Sequence, residues 1–433
     1  MTLESLFRLK ENNTSVRQEL LAGLTTFMAM SYLIFVVPSM LADAGIPKDA
    51  AIASTIFVTI VITLLMGLWA KFPVGVAPGL GITAYFAYFV CGPMGFTWQA
   101  GLAAVFISGV VFFLLTVTRI RQLIIDSVPL DLKLATAAGI GAFIAFIGMK
   151  NCGLIVVDSS TGVALGDMTK PEVLLAIAGF FITAVLTLKN VPGGMVIGII
   201  VTTVISLVLG VQKLPEGDWL SLAVPDLSTT FLALDFPSAL SHGLFTIIFT
   251  LTMVDLFDNM GTLIGLSRKA GFMEPDGHIR HLDRAFITDS IGTMFSGIVG
   301  ATTATSYLES AAGVAAGGRT GLTAVATAAL FAAAFFLIPL VGIVPGYATA
   351  PALIMVGVFM MQEVVHIQFD RLEIAIPSFL MIIGMPLTFN IATGFGFGFI
   401  SYTLIKVFTG KWEDVTPIMY IISAAFAVNF ILR

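Results

Sequence analysis

The sequence predicts an all-α polytopic membrane protein, built as an inverted repeat with two discontinuous helical segments. Three observations carry that expectation. Of 433 residues, 58% are hydrophobic and only 11% are charged, and the mean hydropathy is +1.01. A soluble globular chain carries about 25% charged residues, and so few charges could not cover a water-facing surface of this size. About fifteen apolar stretches follow one another through short polar links, and several are about long enough to cross a bilayer. Two of them, at corresponding places in the two halves, are short and interrupted by Pro and Gly.

In order, the first half holds apolar stretches at 20–42, 50–70, 74–90, 99–118, 127–149, 172–188 and 195–212. They resume at 243–266, 284–300, 302–317, 320–341, 349–361, 372–388, 390–408 and 416–432. The opening MTLESLFRLKENNTSVRQ is polar and reads as an amphipathic lead-in without a cleavable signal. The longest polar segment, 213–242, leaves no room for a soluble domain. The net charge of −5 says little, because most charges must lie in loops. Cys91 and Cys152 lie in or beside apolar runs, and with four scattered histidines they give neither a disulfide pattern nor a metal signature. No cofactor and no nucleic-acid partner are expected; the lipid bilayer is.

Basic residues set the orientation. Arg8, Lys10 and Arg17 precede the first span; Lys71, Arg119 with Arg121, Lys189, Arg268 with Lys269, Arg280 with Arg284, and Arg319 fall on that same side if the spans alternate. Lys48, Lys150 and Lys213 form the minority opposite. This predicts a cytoplasmic N-terminus. Seven spans before the second half invert its direction, as in an inverted repeat.

The two interrupted segments are PVGVAPGLGITAYFAY, 73–88, and GATTATSYLESAAGVAAGG, 300–318. Pro and Gly clusters at matching positions of two halves point to discontinuous helices meeting at a midplane site. Thr302 to Ser306 is rich in β-branched and hydroxyl residues and suits a short extended piece. Thr305 or Ser306 is then expected to cap a helix carrying Glu309 in its first turn, with Thr83 the cap-like residue of the first half. Tyr85, Phe86 and Tyr88 stand just beyond, where an aromatic face suits a flat ring. The run GIGAFIAFIG, 139–148, reads instead as close packing through small residues.

A further feature is VDLFDNMGT, 254–262, inside an otherwise apolar segment. Each acid at that depth costs about 2.5–3.5 kcal/mol on insertion scales. Asp255 and Asp258 are three positions apart and share one helical face, which Asn259 extends. Acids inside membranes mark substrate sites or proton relays.

Together VDLFDNMGTLIGL (254–266), TSYLESAAGVAAGGRTGLTAV (305–325), APGLGITAYFAY (77–88) and LKLATAAGIGAFIAFIGMKNCGL (132–154) resemble the nucleobase–cation symporter superfamily, most closely its hypoxanthine/guanine/adenine permease (AzgA-like) branch. The resemblance spans the whole chain. It implies fourteen segments in a seven-plus-seven inverted repeat, so that one of the last four apolar stretches does not cross. It implies a core domain from residues 1–122 and 242–342, a gate domain from 123–241 and 343–433, and a homodimer in a bacterial inner membrane. The implied activity is proton-coupled uptake of a purine nucleobase by movement of core against gate. By position, Asp255 is expected to bond the purine ring and Glu309 its opposite edge. Asp258 would support them, and Asp255, Asp258 and Glu309 are together the expected proton-coupling residues. Thr83, Ala84, Tyr85, Phe86 and Ser310 complete the expected binding set. One departure bears on substrate preference: the branch reads Gly-Leu-Asn-Ala where this chain reads GITA, so Thr83 offers one hydroxyl in place of an amide.

Other readings are a uracil- or xanthine-type nucleobase carrier, a small-anion carrier of the same fold, or an intramembrane enzyme. Two core carboxylates repel an anion. The glycine–aspartate motif of intramembrane aspartyl chemistry is missing, and neither GIPKDA nor GVAAGGRTG has phosphate-loop spacing.

Overall fold

The computed structural model describes residues 3–213, 226–239, 244–272 and 279–431. Half of the polar segment 213–242, with the expected domain boundary at 241/242, lies outside them. In lipid each backbone N–H and C=O must find a partner inside the protein, which favours helices for apolar runs. The chain accordingly folds into α1 (Val16–Met30), α2 (Leu33–Asp43) and α3 (Lys48–Leu65), followed by strand β1 (Val76–Pro78) and the short α4 (Leu80–Tyr85). Next come α5 (Trp98–Val117), α6 (Ile120–Ser127), α7 (Leu130–Asn151), strands β2 (Ile155–Asp158) and β3 (Gly162–Leu165), α8 (Pro171–Leu188) and α9 (Gly194–Val208). The second half holds α10 (Leu244–Ala270), α11 (Leu282–Val299), β4 (Ala304–Ser306), α12 (Ser310–Ala315) and α13 (Gly321–Ala334). It closes with α14 (Gly346–Met361), α15 (Leu372–Leu387), α16 (Ile391–Phe408) and α17 (Pro417–Ile431). Among the described residues, nine helical runs are long and apolar enough to cross a membrane by length and composition, and four apolar helices are shorter.

Helix starts are capped where the sequence offers an oxygen. Ser15 accepts from the N–H of Gln18, Thr97 from Ala100, Thr320 from Leu322, and Asn390 from Ala392 and Thr393. Glu19 does more: fully buried on α1, it accepts from the N–H groups of Arg319 (2.9 Å), Thr320 (3.2 Å) and Thr323 (3.2 Å) and from the Thr323 hydroxyl (2.6 Å). A carboxylate at the first turn of α13 satisfies the helix's unpaired donors and its positive end together. That contact fixes α1 to α13 across the two halves.

Small residues then let backbones meet. A Cβ on Gly321 would lie 1.9 Å from the Gly67 carbonyl oxygen, so the segment continuing α3 touches α13 main chain to main chain. Gly109 and Gly297 bring α5 against α11 in the same way. Gly141, Gly148 and Gly357 seat α7 on α14, which is the packing expected of GIGAFIAFIG. The stretch after α7 that the sequence leaves unassigned is the β2–β3 hairpin, paired from Ile155↔Leu165 to Asp158↔Gly162. Its turn is closed by Asp158, which accepts from the N–H groups of Ser160 and Thr161 at 2.9 Å each. Each of the last four apolar stretches carries its own helix. The last, α17, runs back along α16 with Thr403 and Ser423 bonded at 2.7 Å, and Thr416 reaches the Ser127 carbonyl of α6 at 3.2 Å.

Candidate functional site: a buried junction of two broken segments

β1 and β4 pair antiparallel in register Val76↔Ser306, Ala77↔Thr305 and Pro78↔Ala304, and all six residues are buried. The ladder is extended on both sides by Gly79 N–H to the Thr303 carbonyl (2.9 Å) and Tyr307 N–H to the Gly75 carbonyl (3.0 Å). Two strands leave two outer edges, which water cannot satisfy at this depth. Side chains do so. The Thr63 hydroxyl, from α3, both donates to the Val76 carbonyl and accepts from its N–H, each at 2.9 Å. On the other edge, the Ser306 N–H donates to Asn259 Oδ1 of α10 at 2.7 Å. The Tyr307 hydroxyl closes the junction on the Pro78 carbonyl at 2.5 Å.

This arrangement corrects the expected caps. Thr305 and Ser306 cap nothing, because both belong to the ladder and the Ser306 hydroxyl donates to Asp289 (3.0 Å). Leu308 and Glu309 make a turn closed by the Ser310 N–H on the Tyr307 carbonyl, and α12 starts at Ser310 with Glu309 itself in the N-cap position, its side chain directed elsewhere. Thr83 lies inside α4, whose N-cap is Gly79; its hydroxyl donates to the Gly79 carbonyl (2.7 Å) and meets the Thr302 hydroxyl (2.6 Å). Ser310 likewise faces the other segment and accepts from Gly75 N–H at 3.0 Å. Ala84, Tyr85 and Phe86 are fully buried. Phe86 lies against Gly101 of α5, and Tyr85 stacks on Phe89 with ring centroids 5.3 Å apart.

The carboxylates divide into two pairs. Asp255 is sealed: Thr293 Oγ1 donates to it at 3.2 Å, and Asn259, one turn on, donates to its other oxygen. Asn259 then accepts from Ser306, whose hydroxyl reaches Asp289, also sealed. A continuous chain of hydrogen bonds thus joins Asp255 to Asp289 through α10 and β4. Asp258 and Glu309, by contrast, are each only partly covered, and the charge of Glu309 acts on Asp258. Glu309 accepts from the hydroxyl of Tyr32 at 2.5 Å, at the break between α1 and α2, and Tyr307 stands close to both acids. Two acids opening onto one junction, flanked by tyrosine hydroxyls, can accept N–H donors from opposite edges of a flat ring, or exchange protons.

The sequence reading passed over Asp289, Tyr32 and Thr293. Asp289 was visible as a third acid inside an apolar run. Tyr32 and Thr293 carry no local signal, since only the fold brings them to the acids. It also counted Arg121 as a loop charge, and the structure buries it beside Phe112 and Phe286.

A lipid-embedded helical bundle with two interrupted segments paired at its centre, and acids opening onto their junction, has the build of a carrier. The chain belongs to the Permease family (Xan_ur_permease), which it matches over residues 17–428. It is 40% identical over 437 residues to the adenine permease AdeQ of Escherichia coli, covering 100% of this chain and 96% of that one. It is 39% identical over 434 residues to the guanine/hypoxanthine permease PbuO of Bacillus subtilis, covering 99% and 100%. Among solved structures it is similar in fold to the transmembrane domain of a cyanobacterium bicarbonate transporter, BicA, with a TM-score of 0.62, 15% identity, and coverage of 87% of this chain and 96% of that one. The protein is therefore an integral membrane transporter and not an enzyme, and the resemblance read from its motifs is borne out.

Proposed function

We propose that this protein carries purine nucleobases across the membrane, with Asp258 and Glu309 as the pair that grips the base. The observation that carries this reading is the shared, partly open position of those two carboxylates beside the β1–β4 junction. A neutral purine offers N–H donors on both edges, which suits two acids better than any small anion does. Relatives named for adenine and for guanine/hypoxanthine match at nearly equal identity, which supports the purine class without choosing within it. Asp255 lies one turn away on the same face of α10 and holds Asn259 in place for β4. It supports the site from behind and takes part in moving a proton with the base.

The movement is an exchange of core against gate, with residues 1–122 and 242–342 as core and 123–241 and 343–433 as gate. A seven-plus-seven inverted repeat underlies it, and the packing partners support this. The contact of α3 with α13 has its counterpart in α11 with α5, that of α1 with α13 in α10 with α5, and that of α8 with α14 in α15 with α7. α17 has no such counterpart, which makes it the supernumerary stretch.

Uptake of radiolabelled adenine, guanine and hypoxanthine into proteoliposomes tests the reading. Glu309→Gln and Asp258→Asn should each lower uptake at least tenfold, as expected when a buried site loses a charged hydrogen-bond acceptor, while the protein stays monodisperse in detergent. Asp255→Asn should abolish accumulation driven by a proton gradient. Wild-type rates in the first two variants would remove the site; uptake blocked by bicarbonate and indifferent to purines would replace the substrate class.

A further inference from the structure

Among the described residues, Arg121 is a basic residue buried without a hydrogen-bond partner. Its neighbour Arg119 is exposed, whereas Arg121, on the short α6 between α5 and α7, is 2% exposed. Its guanidinium lies between two rings, 4.3 Å from the centroid of Phe112 and 3.6 Å from that of Phe286. None of its three side-chain nitrogens has a hydrogen-bond partner among the described residues. A buried cation left without a partner is strongly unfavourable, and ring faces recover only part of what water would supply. The remainder has to come from fixed negative charge.

The helix faces show where that charge is. Phe286 and Asp289 are three positions apart on α11, so the ring under the guanidinium and the sealed carboxylate share a face. On α5, Phe112 lies one turn from Ser108, whose hydroxyl meets that of Thr252 at 3.1 Å; Thr252 is in turn three positions before Asp255 on α10. Arg121 therefore points into the angle between α10 and α11 that holds Asp255 and Asp289, and both carboxylates act on it. The ionisable groups facing this angle are Asp255 and Asp258 on α10 and Asp289 on α11, with Glu309 beyond Asp258; α5 contributes none, and Asp126 on α6 is exposed and bonded to Gln122.

We propose that Arg121 is a positioning residue of the transport cycle: a fixed counter-charge to the sealed Asp255–Asp289 pair, which leaves that pair needing one proton to become neutral. Two carboxylates and one guanidinium sum to a single negative charge. One proton from the water on one side, placed on a carboxylate oxygen, cancels it, and its loss to the other side restores it. This inference rests on the carrier reading.

The test uses the purified full chain as wild type, Arg121→Gln, Arg121→Lys, Asp289→Asn and the double variant Arg121→Gln/Asp289→Asn. With Arg121→Gln the pH profile of purine uptake should move to higher pH by about one unit or more, and Arg121→Lys should restore it. The thermal midpoint lost in Arg121→Gln should be largely recovered in the double variant, because the carboxylate and its counter-charge leave together. A wild-type pH profile in Arg121→Gln, or midpoint losses that add, would overturn the proposal. If the wild type moves no purine, the carrier substrate is wrong, while the midpoint cycle still decides whether Arg121 and Asp289 are paired.

Discussion

At the scale of single residues, the site depends on which oxygens are already taken. Both oxygens of Asp255 are engaged, by Asn259 and Thr293, and the hydroxyls of Thr83 and Ser310 are turned to the neighbouring segment. Glu309 keeps part of its carboxylate open while Tyr32 holds the other part. A hydrogen bond to a charged group contributes about 1.5–3 kcal/mol, so Tyr32→Phe should weaken purine binding about tenfold or more with the fold intact. Binding isotherms of the detergent-solubilised variant check this, and an unchanged dissociation constant would detach Tyr32 from the site. Much of this scale was legible: Asp255, Asp258 and Glu309 stood out because an acid in an apolar run needs a reason. Whether an oxygen is free or engaged was not legible, because Asn259, Thr293 and Tyr32 reach the acids only through tertiary packing. Arg121 was misread for a related reason, since an arginine in a short polar link looks the same whether it faces water or folds inward.

At the scale of elements, the two interruptions were placed correctly by their Pro and Gly, and their inner geometry was not. An extended piece was expected from Thr302 to Ser306, and β4 is there. Its partner could not be read from sequence, and pairing with β1 is what removes Thr305 and Ser306 from the role of caps. The close approach of α3 to α13 makes a sharp prediction. Gly321→Val would drive a side chain into the Gly67 main chain, so the helices must part. Overpacking of this kind costs about 1–3 kcal/mol and more where backbone is the obstacle, so the variant should unfold at lower temperature and lose its sharp size-exclusion peak. Gly342→Val, where nothing lies within 4 Å of the added carbon, serves as the control. Equal midpoints for the two would contradict the backbone contact.

At the scale of the whole molecule, a small polar latch joins the ends of α2 and α7. Tyr88, beyond α4, donates to Asp43 at 2.7 Å and accepts from Asn151 of α7 at 2.7 Å. Phe389 packs edge-on against Tyr88 and Phe143, and Lys150 lies 4.5 Å over its ring. In the proposed division, Asp43 and Tyr88 belong to the core and Asn151, Lys150 and Phe389 to the gate. Tyr88→Phe removes the bridge, so the population should shift toward the state open at this end. Cys91, partly covered and three residues away, is the natural reporter. In a background without Cys152, its labelling by a membrane-impermeant maleimide should quicken several-fold, and an unchanged rate would show that the latch does not govern opening. The apolar stretches were legible, because each of them carries helix in the structure; which stretch is supernumerary became arguable only from packing partners.

The pairing of β1 with β4 also bears on how the chain is made. Tyr307 and Pro78, which close that pairing, are 229 residues apart, so the first strand enters the bilayer long before its mate is synthesised. Until then its inner edge has bare amides in oil, and the emerging first half must be shielded by the insertion machinery. Cut between α9 and α10, the two pieces should each be degraded when expressed alone and survive when expressed together.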